Sequence, residues 1–147
     1  MVEAEVIRAY SDCNEFSSEP RQLRFLASKP VLRDEAIRIL KKAVPGYNDF
    51  HPELLKVVPE DTQVLIGRLG SVNMYFLGEI SENISKKLKA DNAFVVNDAY
   101  LNLMIDQEER MKDVPYMVKE WQPGPMTHFN RLKKITENHV VFSAWWD

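Results

Sequence analysis

Apolar residues recur at helical spacing along much of the chain. Val2, Val6, Tyr10 and Cys13 follow steps of three and four, which predicts an amphipathic helix over 2–13. Over 31–44, Leu32, Ala36, Leu40 and Val44 line one face. Asp34 and Glu35 near its start and Lys41 and Lys42 near its end complement a helix dipole, and Pro45-Gly46 stops it. After Ser71, a capping residue, Val72, Phe76, Ile80, Ile84 and Leu88 repeat every four residues and predict a helix over 71–89. Asp91 or Asn92 opens a further helix over about 93–111, through Val96, Tyr100, Leu103 and Met104. From Thr127, the series Phe129, Leu132, Ile135, His139, Phe142 and Trp146 holds a helix period to the end of the chain. Shorter helical pieces are expected after Ser18-Glu19-Pro20 (carrying Leu23 and Leu26), at 53–58 and at 114–122.

This pattern predicts an all-α fold: one domain over 1–147, built as a bundle of five to eight helices. A chain of 147 residues is long enough for a single core without a disulfide or metal staple. Two stretches pull the other way. Residues 62–69 and 139–146 are rich in β-branched and aromatic side chains, and as strands they would make the fold α+β.

Charge narrows the partners. Against 19 basic residues stand 22 acidic ones, a net charge of −3, so a nucleic-acid backbone is repelled unless the cations gather on one face. The single cysteine, Cys13, excludes an internal disulfide, and its neighbours Asp12 and Glu15 disfavour a reactive thiolate. No stretch approaches the roughly 20 apolar residues of a bilayer span, and the charged first residues do not form a secretory signal. The expectation is a cytoplasmic protein with no membrane partner.

Signatures of chemistry are missing. The histidines are His51, His128 and His139, and no two stand at the spacing that puts two ligands on one helix face. With one cysteine there is no zinc ribbon, and no metal site is expected. The serines include no nucleophile elbow, and the 5 glycines form no phosphate cradle. The phrase His51-Pro-Glu-Leu-Leu resembles a short phrase at one corner of globins. No histidine of the later helices stands where a haem ligand would, so no haem and no other cofactor is inferred. A non-enzymatic protein is expected.

The most suggestive feature is aromatic. On a helix the adjacent Trp145 and Trp146 point about 100° apart, so burying both takes a wide covering arc; an uncovered one is a ready binding anchor. Trp121 adds a third indole, and Asp106, Glu108 and Glu109 add an acidic helix end suited to a basic partner. These residues predict a protein–protein interaction module, a regulator, inhibitor or adaptor acting through an exposed apolar and acidic helical surface. Its partner is another protein or a second copy of itself. Two alternatives come from other classes. Residues 64–84 outline a helix-turn-helix DNA reader around Gly70, although Asn73 is the one base-reading side chain and Glu79 and Glu82 repel phosphates. A ligand pocket or enzyme within the bundle would draw on His139, Tyr100 and Asp98.

Overall fold

The computed structural model describes residues 1–11, 24–44, 50–69, 71–100 and 125–146. Among them runs a six-stranded, wholly antiparallel sheet: β1 (Arg24–Leu26), β2 (Val31–Leu32), β3 (Gln63–Leu69), β4 (Ser71–Leu77), β5 (Phe94–Val96) and β6 (Val141–Trp146). The strand order is β1-β3-β4-β6-β5, with β2 also paired to β3. Four α-helices have their bounds among the described residues: α1 (Val2–Ala9), α2 (Arg33–Ala43), α3 (Glu82–Ala90) and α4 (Pro125–Ile135). A 3-10 helix, Pro52–Val57, begins on its proline, where the missing amide costs nothing.

The sheet overturns the all-α bundle, and the reason is burial on both faces. Six consecutive residues of β4, Ser71 to Phe76, are buried. A strand covered on both sides loses the alternation of polar and apolar residues and reads as an unbroken apolar run. Its Val72 and Phe76 then align by accident with Ile80, Ile84 and Leu88 of the next element. The helix expected over 71–89 is therefore two elements. Between them Gly78 adopts φ 125°, a backbone that L side chains rarely take, and Ser81 caps α3 by accepting the Ile84 amide hydrogen at 3.2 Å. The helix-turn-helix over 64–84 disappears in the same way, because β3 and β4 form a hairpin there.

The long final helix is also broken. α4 ends at Ile135, Glu137 and Asn138 take left-handed φ values of 53° and 60°, and the chain emerges as β6. The strands β3 and β6 fill the two stretches set apart by their β-branched and aromatic content. Other expected helices shrink or change. Of 31–44, the first two residues are β2, and Leu32, assigned to the core by its spacing, is 54% exposed. Residues 94–96, expected at the start of a helix over 93–111, are β5, and Leu26, expected on a short helix, lies in β1. Beyond β5, Ala99 and Tyr100 are helical, while residues 101–111 of that expected helix, the segment 114–122 and Cys13 lie outside the described residues.

Register fixes the two faces of the sheet, since directly opposed residues share a face. One face carries Ile66, Met74 and Ala144 in one row and Val64, Phe76 and Phe142 in the next. Phe76 and Phe142 stack at 4.8 Å there. Trp146 belongs to this face, fully buried, with Phe50 at 4.9 Å edge-on to its indole. Arg68, also on this face, donates to the Ala9 carbonyl at 2.7 Å and lies over the Tyr10 ring, which ties the end of α1 to the sheet. The opposite face carries Leu65, Tyr75 and Ser143 in one row, and Leu26, Gly67, Asn73, Trp145 and Phe94 in another. No helix among the described residues is long and apolar enough to cross a membrane.

Candidate functional site

The second of those rows runs across the whole sheet, from β1 through β3, β4 and β6 to β5, and ends in solvent. Leu26 is buried at one end; Phe94 is 53% exposed at the other. A row with that gradient arises because β5 is an edge strand of three residues, so its outer side has no neighbouring strand among the described residues to cover it. The Phe94 ring lies 5.1 Å from the Trp145 indole at a 39° tilt, and Trp145 is itself half-buried. The indole N–H donates to the Ser71 hydroxyl, which fixes the ring over the sheet. The result is a rigid aromatic corner with one face dry and one face wet, the form that binding anchors take.

Next to Trp145 in the row stands Asn73, 4% exposed, whose Oδ1 accepts no hydrogen bond from the described residues. The Trp146 Nε1 hydrogen likewise has no partner among them. These two groups cannot satisfy each other, because register puts them on opposite faces of the sheet. Each represents an uncompensated desolvation that costs stability.

The expected site residues are dispersed. Trp146 is a core residue, whereas Trp145 is half-buried at the corner. On a strand, adjacent side chains point to opposite faces, a wider separation than a helix gives, so burial of one says nothing against exposure of the other. Trp121, Asp106, Glu108 and Glu109 lie outside the described residues. The residues expected to serve a pocket are tied to the turn after α4: the Tyr100 hydroxyl bonds the Thr136 side chain and donates to the His139 carbonyl at 2.7 Å. The His139 Nδ1 bonds the Thr136 carbonyl at 2.7 Å, which sets Nδ1 as the donor. His51 takes part in the opening turn of the 3-10 helix, its carbonyl accepting the Leu54 amide hydrogen at 2.9 Å. No group of three or more histidine, cysteine or carboxylate side chains could hold a metal among the described residues. Tyr75 lies fully buried on the sheet, where desolvation pushes its hydroxyl well above the usual phenol range, so it stays protonated.

Phe94 was not among the expected site residues. Its signal is faint: a lone phenylalanine before two valines, in a stretch whose spacing also fits a helix. What identifies it is the register Phe94↔Trp145, which no local pattern reveals.

The chain matches no known protein family, and neither curated proteins nor solved structures offer a match.

Proposed function

We propose that this chain is a non-enzymatic protein–protein interaction module, a regulator, inhibitor or adaptor whose docking site is the Phe94–Trp145 corner. The observation that carries the reading is the half-exposed Phe94 ring seated on an indole that is held in place. Other large apolar side chains reach solvent, among them Leu32 and Val140, each 54% exposed, but scattered aliphatic exposure is ordinary for a protein surface. Phe94 differs in being aromatic, paired and set beside an open strand edge. The docking surface moves accordingly from a helical face to a sheet corner.

The test is differential affinity capture with the whole chain as bait. Phe94→Asp is expected to keep the fold, since the ring is half exposed, and to lose a protein that the wild type retains. Leu32→Asp, equally exposed at the other edge, is expected to keep it. Equal capture by all three baits sinks the reading.

A further inference from the structure

The two free sides of the sheet can be compared group by group because the hydrogen-bond alternation is fixed. The Gly78 amide donates to the Val140 carbonyl at 2.7 Å, one step beyond the Leu77↔Val141 pair. Antiparallel pairs alternate between bonded and non-bonded. The bonded pairs of β4 and β6 are therefore Phe76–Phe142, Met74–Ala144 and Val72–Trp146. Val141, Ser143 and Trp145 then direct their backbone groups toward β5, where Trp145 meets Phe94 and Ser143 meets Val96. Val95 is left with its N–H and C=O turned away from the sheet. Neither group has a hydrogen-bond partner among the described residues.

Beside this bare donor–acceptor pair stand the exposed Phe94 and the last turn of α3. Glu82 engages Lys86 at 3.3 Å, which leaves Lys87 and Lys89 exposed, with no ion pair to a described residue and with Asp91 as the adjacent exposed carboxylate. Asp98, at the far end of the strand, is already engaged. Among the described residues, the chemistry left over at this edge is thus a backbone pair, an aromatic surface and two exposed lysines beside one exposed carboxylate.

We infer that β5 takes up an extended, carboxylate-bearing segment of a partner protein as an added strand, bonded to Val95 and resting an apolar side chain on Phe94 and Trp145. This rests on the docking corner proposed above and names its occupant. Strand addition of this kind draws affinity from main-chain hydrogen bonds and specificity from the side chains that alternate beside them. Because β5 is three residues long, the main-chain bonding is brief, and the aromatic corner and the lysines supply the remainder.

The experiment follows the Val95 amide by NMR and hydrogen exchange in the whole chain. Three short synthetic peptides serve as probes: one alternating valine and glutamate, one alternating valine and lysine, and an N-methylated copy of the first. The free chain is expected to exchange the Val95 amide rapidly. The glutamate peptide is expected to slow it, and to bind about tenfold more tightly than the lysine peptide at low salt, a preference that fades as salt screens the charges. The N-methylated copy is expected not to bind. Val95→Pro removes a hydrogen that the ladder does not use, and binding of the glutamate peptide, read in this variant from the shifts of the Phe94 and Val96 amides, should be lost. Should that variant unfold, Lys87→Glu with Lys89→Glu on the exposed face of α3 provides the second arm, and should erase the preference for glutamate. A Val95 amide already protected in the free chain overturns the inference. So does failure of every peptide, an indifference to peptide charge, or a dimer in sedimentation that Val95→Pro dissolves, which would make the occupant a second copy. If the peptides fail while Phe94→Asp still costs the captured partner, strand addition is wrong and the docking corner stands. If both fail, the corner itself is wrong.

Discussion

The two edges of the sheet are finished in opposite ways. At the β1 edge, Ala27 continues the ladder by donating to the Ile66 carbonyl at 2.9 Å, so Leu26 and Ser28 turn their backbone groups outward. Side chains from distant elements meet them. Arg131 of α4 donates to the Leu26 carbonyl at 3.3 Å, and Glu5 of α1 accepts both the Ser28 amide hydrogen at 2.8 Å and its hydroxyl hydrogen at 2.6 Å. Lys29 and Pro30 then interrupt the edge before β2 resumes. A charge, a proline and a short strand are the usual means of keeping a free edge from pairing with another chain. The β5 edge is short, but Phe94, Val95 and Val96 include neither a charge nor a proline. Among the described residues, then, side chains from distant elements meet one edge and none meets the other.

The largest effect expected near the open edge concerns the two tryptophans. Trp146→Ala removes a fully buried indole from under Phe50 and should cost about 3–5 kcal/mol. Trp145→Ala, from a half-buried ring, should cost about 1 kcal/mol. Urea denaturation of both variants measures the gap. Equal losses would mean that Trp145 is core and that the corner is no more a surface than its neighbour.

Gly67 sharpens the contrast from the closed side of the same row. A Cβ there would meet the Phe25 carbonyl oxygen at 3.0 Å, the Leu26 side chain at 3.2 Å and the Tyr75 ring at 3.2 Å. The backbone oxygen cannot step aside as a flexible side chain could, so Gly67→Ala should destabilise by about 1–3 kcal/mol. Phe94→Ala, at the open end, should stay within about 0.5 kcal/mol. Thermal melts of the pair test whether the row runs from rigid to free.

The middle of the row carries an effect of the opposite sign. Asn73→Leu keeps the branched skeleton and removes a buried oxygen that no described residue bonds, so stability should rise by about 1 kcal/mol. A loss instead would mean that the amide serves a group it meets only in a complex. Opening the closed edge should cost about as much: Glu5→Ala strips the cap from Ser28, with a loss of about 1 kcal/mol and faster amide exchange at Ser28. If exchange there is unchanged, Glu5 is not what seals that edge.

How far the sequence could carry this picture depends on burial. α2 was legible because it lies on the surface of the fold: its polar face is wet, its apolar face is dry, and its end charges suit the dipole. β4 was not, since covering both faces erases the period-2 signal that would have separated it from a helix. The final stretch misled for a related reason. Leu132 in α4 and Phe142 and Trp146 in β6 are all buried, and a turn of suitable length kept their spacing in phase across two kinds of element. The candidate site was half legible. Adjacent tryptophans announced that one ring could lie uncovered; Trp146 is core, and Trp145 is the half-buried one. Its partner Phe94 lies 51 positions away in the chain, counting from 94 to 145, and only strand pairing joins them.

Acid should separate the two sides of the molecule most gently. Glu3 of α1 accepts from Lys42 of α2 at 2.7 Å and sits near Arg38, and these cations hold its carboxyl below the ordinary value of 4.5. Arg38 lowers Glu35 in the same way. Glu53, bonded by Lys41 and Lys56, is pulled down to about 2. A carboxylate with a lowered folded value adds stability that is fully present above the unfolded value and lost as the pH falls through the folded one. The small contribution of these pairs should therefore persist at neutral pH, begin to fade below about 4.5 and be gone near 2. All are at least partly exposed, so added salt should flatten the same dependence. The β5 strand has no titrating side chain of its own, and amide exchange at Val95 should follow only the intrinsic pH dependence across that window. Parallel changes at Val95 and at the α1–α2 contact would show that the open edge is coupled to the salt bridges, and would end the claim that the two sides are finished independently.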